Sequence, residues 1–175
     1  MPTRSKRRIL AIDPGTRYMG VALLDGGKLV YHGVKTLRHR GSPHERLREG
    51  RAAVLTMIAD FKPQILAVET AFFANNRNTA LLNVLVDEIR AIGRMKGLRV
   101  AAYAPTTVKK RIAGDGRAAK HEVARAVAAR FPELQVYLSQ DREWQARYHG
   151  NMFDAVALAL VAITPAGTAG LPRAG

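Results

Sequence analysis

The chain has no cysteine, and only 14 of its 175 residues are acidic, against 28 Lys and Arg. The lack of cysteine excludes disulfides and thiolate metal sites, and it fits a reducing compartment such as the cytoplasm. No apolar run reaches the length of a membrane span. The first short run stops at Asp13-Pro14-Gly15, so it predicts a strand and not a signal peptide.

The scarcity of acids leaves a formal net charge of +14. Such a charge opposes compaction through self-repulsion and is typical of proteins that bind a polyanion. The basic residues are spread through the chain and not confined to a tail, which favours nucleic acid as the partner. An anionic membrane is disfavoured, because no predicted helix pairs a basic face with bulky aromatics. A generally basic, ribosome-associated protein remains the alternative.

The order of apolar patterns predicts an α/β domain with a mixed five-stranded sheet and helices on both faces. Strands are expected at 9–13, 20–25, 29–36, 65–69 and 99–103, and helices at 43–61, 79–95, 107–112, 118–131 and 151–163. The first and fourth strands are expected to be neighbours. We expect one domain over residues 1–164 and a flexible tail at 165–175, which is rich in Gly, Pro and Ala.

Three acids each adjoin an apolar run where a buried element should end: Asp13, Glu69 and Asp154. A buried carboxylate is costly unless positive charge meets it. Divalent cations with oxygen ligands would relieve their repulsion, and without cysteine the expected ions are Mg²⁺ or Mn²⁺. Two alternatives are structural. Asp13 can belong to a tight turn, and Asn151 with Asp154 can form a capping box at a helix start.

Four motifs, in this order, resemble the RuvC family of Holliday junction resolvases, and the resemblance covers roughly residues 8–163. They are a hydrophobe followed by Asp13-Pro14-Gly15-Thr16-Arg17 and a later glycine; Glu-Thr-Ala-Phe-Phe-Ala-Asn-Asn at 69–76 with Thr-Ala-Leu at 79–81; Gly-Asp-Gly-Arg-Ala-Ala-Lys-His-Glu-Val at 114–123; and Asp-Ala-Val-Ala-Leu-Ala at 154–159.

The resemblance implies a ribonuclease H-like fold and a homodimer that nicks two symmetric strands of a four-way DNA junction in recombination and repair. It implies Mg²⁺, with two ions per subunit, or Mn²⁺, and products with 5′-phosphate and 3′-hydroxyl ends. It further implies a bacterial cytoplasmic, nucleoid-associated protein with a branch-migration helicase of the RuvA and RuvB type as a partner. The surplus of apolar residues on the 79–95 helix fits either a second subunit or full burial.

Position by position, the resemblance makes Asp13, Glu69 and Asp154 metal-binding catalytic acids. The family's fourth ligand lies three residues before the last acid and is usually Asp or His, whereas this chain has Asn151. Asn offers a neutral oxygen and withdraws one negative charge from the site. His149 is the alternative fourth ligand if the loop bends.

The expected DNA contacts fall into aromatic and basic groups. Phe72 matches a family aromatic that stacks on opened bases, and Phe73 follows it; two consecutive residues of an extended segment cannot both point inward. Lys109 and Lys120 match family lysines that face the backbone or the active site. Lys110, Arg111 and Arg117 surround them on a segment suited to phosphates.

Three other functions stay open on sequence alone. The chain can be a junction-binding protein that has lost activity through Asn151, or a related nuclease that cuts RNA or hybrids, since the fold does not fix the substrate. An Asp-x-Gly-Thr hairpin also occurs in sugar-kinase and actin-like ATPases, but those need two such domains. The role of the 133–148 segment is open, with Trp144 as a lid, a stacking group or a plug over the core.

Overall fold

The computed structural model describes residues 7–37, 41–70, 77–139 and 143–164. The expected tail at 165–175 and the pair Phe72 and Phe73 lie outside these ranges. The elements are, in chain order, β1 (Arg8–Asp13), β2 (Tyr18–Asp25), β3 (Lys28–Thr36), α1 (Pro43–Phe61), β4 (Ile65–Glu69), α2 (Arg77–Met95), β5 (Arg99–Tyr103), α3 (Pro105–Ala113), α4 (Lys120–Arg130), a 3₁₀ helix (Pro132–Tyr137) and α5 (Glu143–Ile163). No helix in the described ranges is long and apolar enough to span a membrane.

The strands form one sheet in the order β3-β2-β1-β4-β5. β1, β2 and β3 make an antiparallel meander, whereas β4 pairs in parallel with both β1 and β5. The central strands are short apolar runs, as is typical of strands covered on both faces. The prediction of a mixed five-stranded sheet with β1 beside β4 is therefore confirmed.

The two faces of the sheet carry separate cores. On β1, Ile9 and Ala11 face the core built with α3, α4 and α5, whereas Leu10 and Ile12 face the core built with α1 and α2. Side chains alternate along a strand, so the next residue, Asp13, belongs to the α5 side. Helices on both faces are confirmed, and the alternation decides on which face the strand-end acids emerge.

The start of α1 is a capping box, as Ser42-Pro43-His44-Glu45 predicts. The Glu45 amide donates to Ser42 Oγ at 3.2 Å, and the Ser42 amide donates to a Glu45 carboxylate oxygen at 2.6 Å. Two amide groups that the helix leaves without partners are thereby satisfied. The sequence located this helix end correctly because the signal is purely local.

The start of α5 was predicted wrongly. The helix begins at Glu143, eight residues before the expected Asn151, so Asn151 and Asp154 lie inside it and cannot form a capping box. The first turns are polar, and the apolar pattern starts only at Met152. Tyr148 packs edge-on against Tyr18 of β2, with ring centroids 5.5 Å apart. This tertiary contact holds the first turns of α5 against β2, although the apolar pattern of the sequence gives no sign of a helix there.

The early start also places Trp144 in the first turn of α5. Its surface is 57% exposed, so it does not plug the core. The 133–148 segment forms the 3₁₀ helix and the first turns of α5 in its described part, and Tyr137 packs against His149 with ring centroids 4.8 Å apart. The segment therefore helps to hold the amino-terminal part of α5 on the domain.

We predict that Gly20→Ala lowers the free energy of unfolding by about 2–4 kcal/mol, because a methyl group there overpacks the core. An added Cβ at Gly20 would lie 1.9 Å from the backbone carbonyl oxygen of Asn151, where α5 crosses β2. Urea denaturation measures the loss.

Gly150→Ala is the matched control, since it alters the same helix one residue before that contact. An added Cβ at Gly150 meets no atom within 4 Å. Ala favours a helix interior over Gly by up to about 1 kcal/mol, so this variant is expected to be neutral or more stable. Equal losses for the two variants would contradict the close crossing of α5 over Gly20.

Candidate active site

Asp13 and Glu69 are brought together by the register of two parallel strands. Ile12 of β1 pairs with Val68 of β4, and each acid is the next residue of its strand. Ala11 and Ala67 precede them by two positions and both face the α5 core. Because side chains two apart share a face, both carboxyl groups leave the sheet on that side, at the carboxyl ends of neighbouring strands.

Asp154 reaches the same place from α5. Asp13 pairs with Gly20 of β2, and the backbone of Asn151 lies directly against Gly20. Asp154 is three residues further along the helix and so lies on the same face as Asn151. Helix α5 thus carries both side chains over the ends of the strands.

These side chains line one cavity of about 250 Å³. Its wall combines acids, one lysine and apolar groups, namely Asp13, Pro14, Glu69, Thr70, Leu82, Val86, Pro105, Lys120, Asn151 and Asp154. All four predicted metal-binding side chains are in this set. Of the predicted DNA contacts, Lys120 is in it.

Burial disfavours the charged forms of all three acids, and repulsion by neighbouring acids adds to this effect at Asp13 and Glu69. Burial raises the pKa of Asp13 well above its usual value, and the negative charges of Glu69 and Asp154 raise it further. Burial and then the charge of Asp154 raise the pKa of Glu69 to about 7. Burial also raises the pKa of Asp154, despite a neighbouring lysine. The pocket therefore has more negative charge than its own cations compensate.

That lysine is Lys120, the first residue of α4. Its Nζ lies 3.2 Å from Oδ2 of Asp154 in an ion pair. The charge of Asp154 raises the pKa of Lys120, against the opposing effect of burial. The positive charge of Lys109 lowers the pKa values of Glu69 and Asp154, which places this second lysine near the same acids.

The residues present fit a divalent cation. Across the described ranges, no three His, Cys, Asp or Glu side chains are placed closely enough to hold one ion together, and the nearest positive group to Asp154 is the ammonium of Lys120. The donors are nevertheless all hard oxygens, which Mg²⁺ and Mn²⁺ prefer. The pKa values of the three acids stay raised despite the nearby charges of Lys120 and Lys109, which favours the binding of further positive charge in the cavity.

The two residues predicted as alternative fourth ligands, Asn151 and His149, differ in their position relative to the cavity. Asn151 lines the cavity, and its Nδ2 donates to the backbone oxygen of Arg147 at 3.0 Å. This bond leaves its Oδ1 for a cation. His149 packs instead between Tyr137 and Tyr148 and is not among the residues of the cavity wall.

The remaining predicted DNA contacts differ in their surroundings. Lys110 and Arg117 are exposed near the carboxyl end of α3 and in the loop after it, and Lys109 is half-buried. Arg111 donates from a guanidinium nitrogen to the backbone oxygen of Thr164 at 3.1 Å, so it ties α3 to the end of α5. Phe72 and Phe73 lie outside the described residues, and their role stays a prediction.

Sequence reasoning missed several residues of the cavity wall. Thr70 follows Glu69, and its hydroxyl donates to the backbone oxygen of Tyr103 at 3.3 Å, which fixes the end of β4 to β5. Leu82 and Val86 come from α2 and Pro105 from the start of α3. Apolar wall residues have no chemical signature in sequence, so only the topology could have revealed them.

Comparison with known proteins points to one family. The family model described as crossover junction endodeoxyribonuclease RuvC matches residues 9–161. The curated protein of that name from Halorhodospira halophila is 38% identical over 126 residues, which are 70% of this chain and 75% of the relative. Its counterpart from Myxococcus xanthus is 31% identical over 174 residues, 95% of this chain and 85% of that protein.

Solved structures agree with this comparison. Thermus thermophilus RuvC superposes with a TM-score of 0.66 at 27% identity, over 87% of this chain and 90% of that one. The same protein has been solved in complex with a Holliday junction substrate. The yeast mitochondrial Holliday junction resolvase Ydc2 has a TM-score of 0.67 at 14% identity, over 90% of this chain and 78% of that one, and this likeness shows the fold alone.

We predict that the metal-free wild-type protein loses more stability than Asp13→Asn when the pH is raised from 5 to 8. The folded protein raises the pKa of Asp13 and Glu69 above their unfolded values, so the folded state binds more protons. For Glu69 the associated stability is full below the unfolded pKa of 4.5 and is lost as the pH rises through about 7. For Asp13 it is likewise lost as the pH rises through its raised pKa. We expect a difference on the order of 1–3 kcal/mol.

Urea denaturation in EDTA at both pH values, with wild type and Asp13→Asn in parallel, measures this difference. Asp60→Asn removes an exposed acid of α1 and serves as the control, with a wild-type pH dependence expected. Saturating Mg²⁺ should abolish the loss at pH 8. A loss of equal size in Asp13→Asn would contradict the electrostatic account of the cavity.

Proposed function

The chain belongs to the RuvC family of crossover junction endodeoxyribonucleases, and we infer that its acidic cavity is where it cuts four-way DNA junctions. It is a structure-selective endonuclease, a Holliday junction resolvase of recombination and repair. One observation carries the assignment of the site: carboxyl groups from β1, β4 and α5, far apart in sequence, line a single cavity. The enzyme belongs to a family of metal-dependent nucleases.

We propose that Asp13, Glu69, Asp154 and the Oδ1 of Asn151 hold Mg²⁺ or Mn²⁺, with two ions per subunit. Bound there, the ions would supply positive charge to the scissile phosphate, the attacking water and the departing 3′ oxygen. The carboxylates would hold this charge in place, beside the apolar side of the wall that α2 supplies. The proposed products carry 5′-phosphate and 3′-hydroxyl ends.

A homodimer is the proposed working form. One chain offers one such cavity in its described part, so two symmetric cuts need two copies. Helix α2 supplies Leu82 and Val86 to the cavity wall, while Val84 between them is 47% exposed. We propose α2 as the contact with the second subunit, with Val84 on its surface in that contact.

The basic surface is proposed to hold the junction arms. Lys109, Lys110, Arg117 and Lys120 lie on α3, on α4 or between them, and Lys120 also lines the cavity. The net charge of +14 favours DNA as the partner. Arg111 of α3, whose guanidinium donates to the backbone oxygen of Thr164, is proposed to contribute positive charge, and Phe72 and Phe73 are proposed to stack on opened bases.

The wider setting follows from the family. We propose a nuclease domain over residues 1–164, a tail at 165–175, and action in the bacterial cytoplasm at the nucleoid. A branch-migration helicase of the RuvA and RuvB type is the proposed partner. This setting is supported by the match of residues 9–161 to a family that is described as cutting DNA. The alternatives of a non-catalytic binder and of an RNA or hybrid nuclease are not favoured, since the relatives are named as DNA endonucleases.

We predict that Asp13→Asn lowers the rate at which a synthetic four-way junction is nicked in Mn²⁺ by at least about 100-fold, since electrostatic stabilisation of the transition state dominates such reactions. Junction binding should persist, because the basic surface is unchanged. Gel assays of cleavage and of mobility shift measure the two effects. Nicking retained by the variant would exclude the proposed role, and faster cutting of an RNA/DNA hybrid by wild type would reassign the substrate.

We predict that Asn151→Asp nicks junctions at least as well as wild type and binds Mn²⁺ more tightly, because it restores a charged ligand. Asn151→Ala removes the ligand oxygen and should slow nicking by about 10- to 100-fold, the usual range for groups that support a metal site. His149→Ala is the control for the alternative ligand. A larger loss in His149→Ala than in Asn151→Ala would transfer the role to His149.

A further inference from the structure

The ion pair between Lys120 and Asp154 places the ammonium of Lys120 where a divalent cation would contact Asp154. Lys120 Nζ is 3.2 Å from Asp154 Oδ2, and both side chains line the cavity with Asp13 and Glu69. A divalent cation held by these acids would lie within a few ångströms of the ammonium and repel it. Lys120 and a cation therefore compete for the same carboxylate oxygen.

The two partners of this pair differ in their freedom to move. The side chain of Lys120 is 74% exposed, whereas that of Asp154 is 21% exposed. Lys120 is the first residue of α4, so its flexible stem starts at the rim of the cavity. The lysine can swing into solvent without repacking the core, but the aspartate stays fixed on α5 and always needs a positive partner.

We propose that Lys120 is an exchangeable counter-ion, which neutralises Asp154 in the metal-free protein and is released towards a DNA phosphate when divalent cations bind. The proposal rests on the proposed function of the cavity. The released ammonium keeps its charge at the rim, where the scissile strand must approach the acids. One side chain thus serves the acids before metal binding and the DNA after it.

Such an exchange couples the two binding events. Metal binding frees a positive group for DNA, and a phosphate that takes up Lys120 leaves Asp154 open to metal. The junction and the cation should therefore bind cooperatively, and the coupling must be the same in both directions.

Lys109 lies near the same acids but makes no ion pair with them in the part of the chain that the structure describes. Its charge is thus a matched reference for simple repulsion.

The first experiment measures Mn²⁺ binding to DNA-free protein by calorimetry at pH 7.5. We expect Lys120→Gln to bind Mn²⁺ about three- to tenfold more tightly than wild type, since its competitor is removed, and Lys109→Gln to gain less. In EDTA, Lys120→Gln should have a lower melting temperature than wild type, and saturating Mn²⁺ should close this gap. Equal gains in Mn²⁺ affinity in both variants would mean that Lys120 acts only by general charge repulsion, and would overturn the exchange. Unchanged or weaker Mn²⁺ binding in Lys120→Gln would overturn it as well.

The second experiment measures junction affinity with and without Ca²⁺ at constant ionic strength, with a gel to confirm that the DNA stays intact. Wild type and Lys109→Gln should bind the junction several-fold more tightly with Ca²⁺. This gain should be clearly smaller in Lys120→Gln, where only the bound cations attract the phosphate. An equal gain in all three proteins would overturn the release of Lys120 to DNA. Cleavage by wild type in Mn²⁺ tests the proposed function separately, so failure of the exchange and failure of the resolvase assignment give different results.

Discussion

The site depends on one electrostatic conflict: three carboxyl groups share a partly desolvated cavity without enough positive charge. Their raised pKa values express that conflict, since burial opposes the ionisation of all three and repulsion adds to it at Asp13 and Glu69. The protein does not remove the conflict with paired lysines, as a purely structural cluster would. It leaves Lys120 alone in contact with Asp154, on an exposed stem. Such a cavity can gain much of its charge compensation from cations that arrive with the substrate.

The fold maintains this conflict through close backbone packing. Parallel pairing of β1 and β4 sets two acids side by side, and the crossing of α5 over Gly20 brings the third. Neither contact involves the acids themselves. The geometry of the site is therefore set by the register of β1 and β4 and by the absence of a side chain at Gly20. It should tolerate changes to the carboxylates better than changes to the crossing of α5 over Gly20.

The sequence predicted the parts of this arrangement that local patterns encode. The apolar runs before Asp13 and Glu69 predicted the strands, and the topology predicted that those strands are neighbours. The sequence misplaced the start of α5 because its first turns have no apolar period, and the ring contacts of Tyr148 and His149 that hold them on the domain are tertiary. The ion pair of Lys120 was also not predicted, since nothing in the spacing of Lys120 and Asp154 indicates that α4 begins beside α5.

Anomalous diffraction from crystals of the wild-type protein grown with Mn²⁺ locates the ion in the cavity independently of activity. We predict Mn²⁺ in contact with the carboxylate oxygens of Asp13, Glu69 and Asp154, with the ammonium of Lys120 moved away from Asp154. Mn²⁺ bound elsewhere in an enzyme that cuts junctions, or a cavity that stays closed by Lys120 at saturating Mn²⁺, would contradict this prediction.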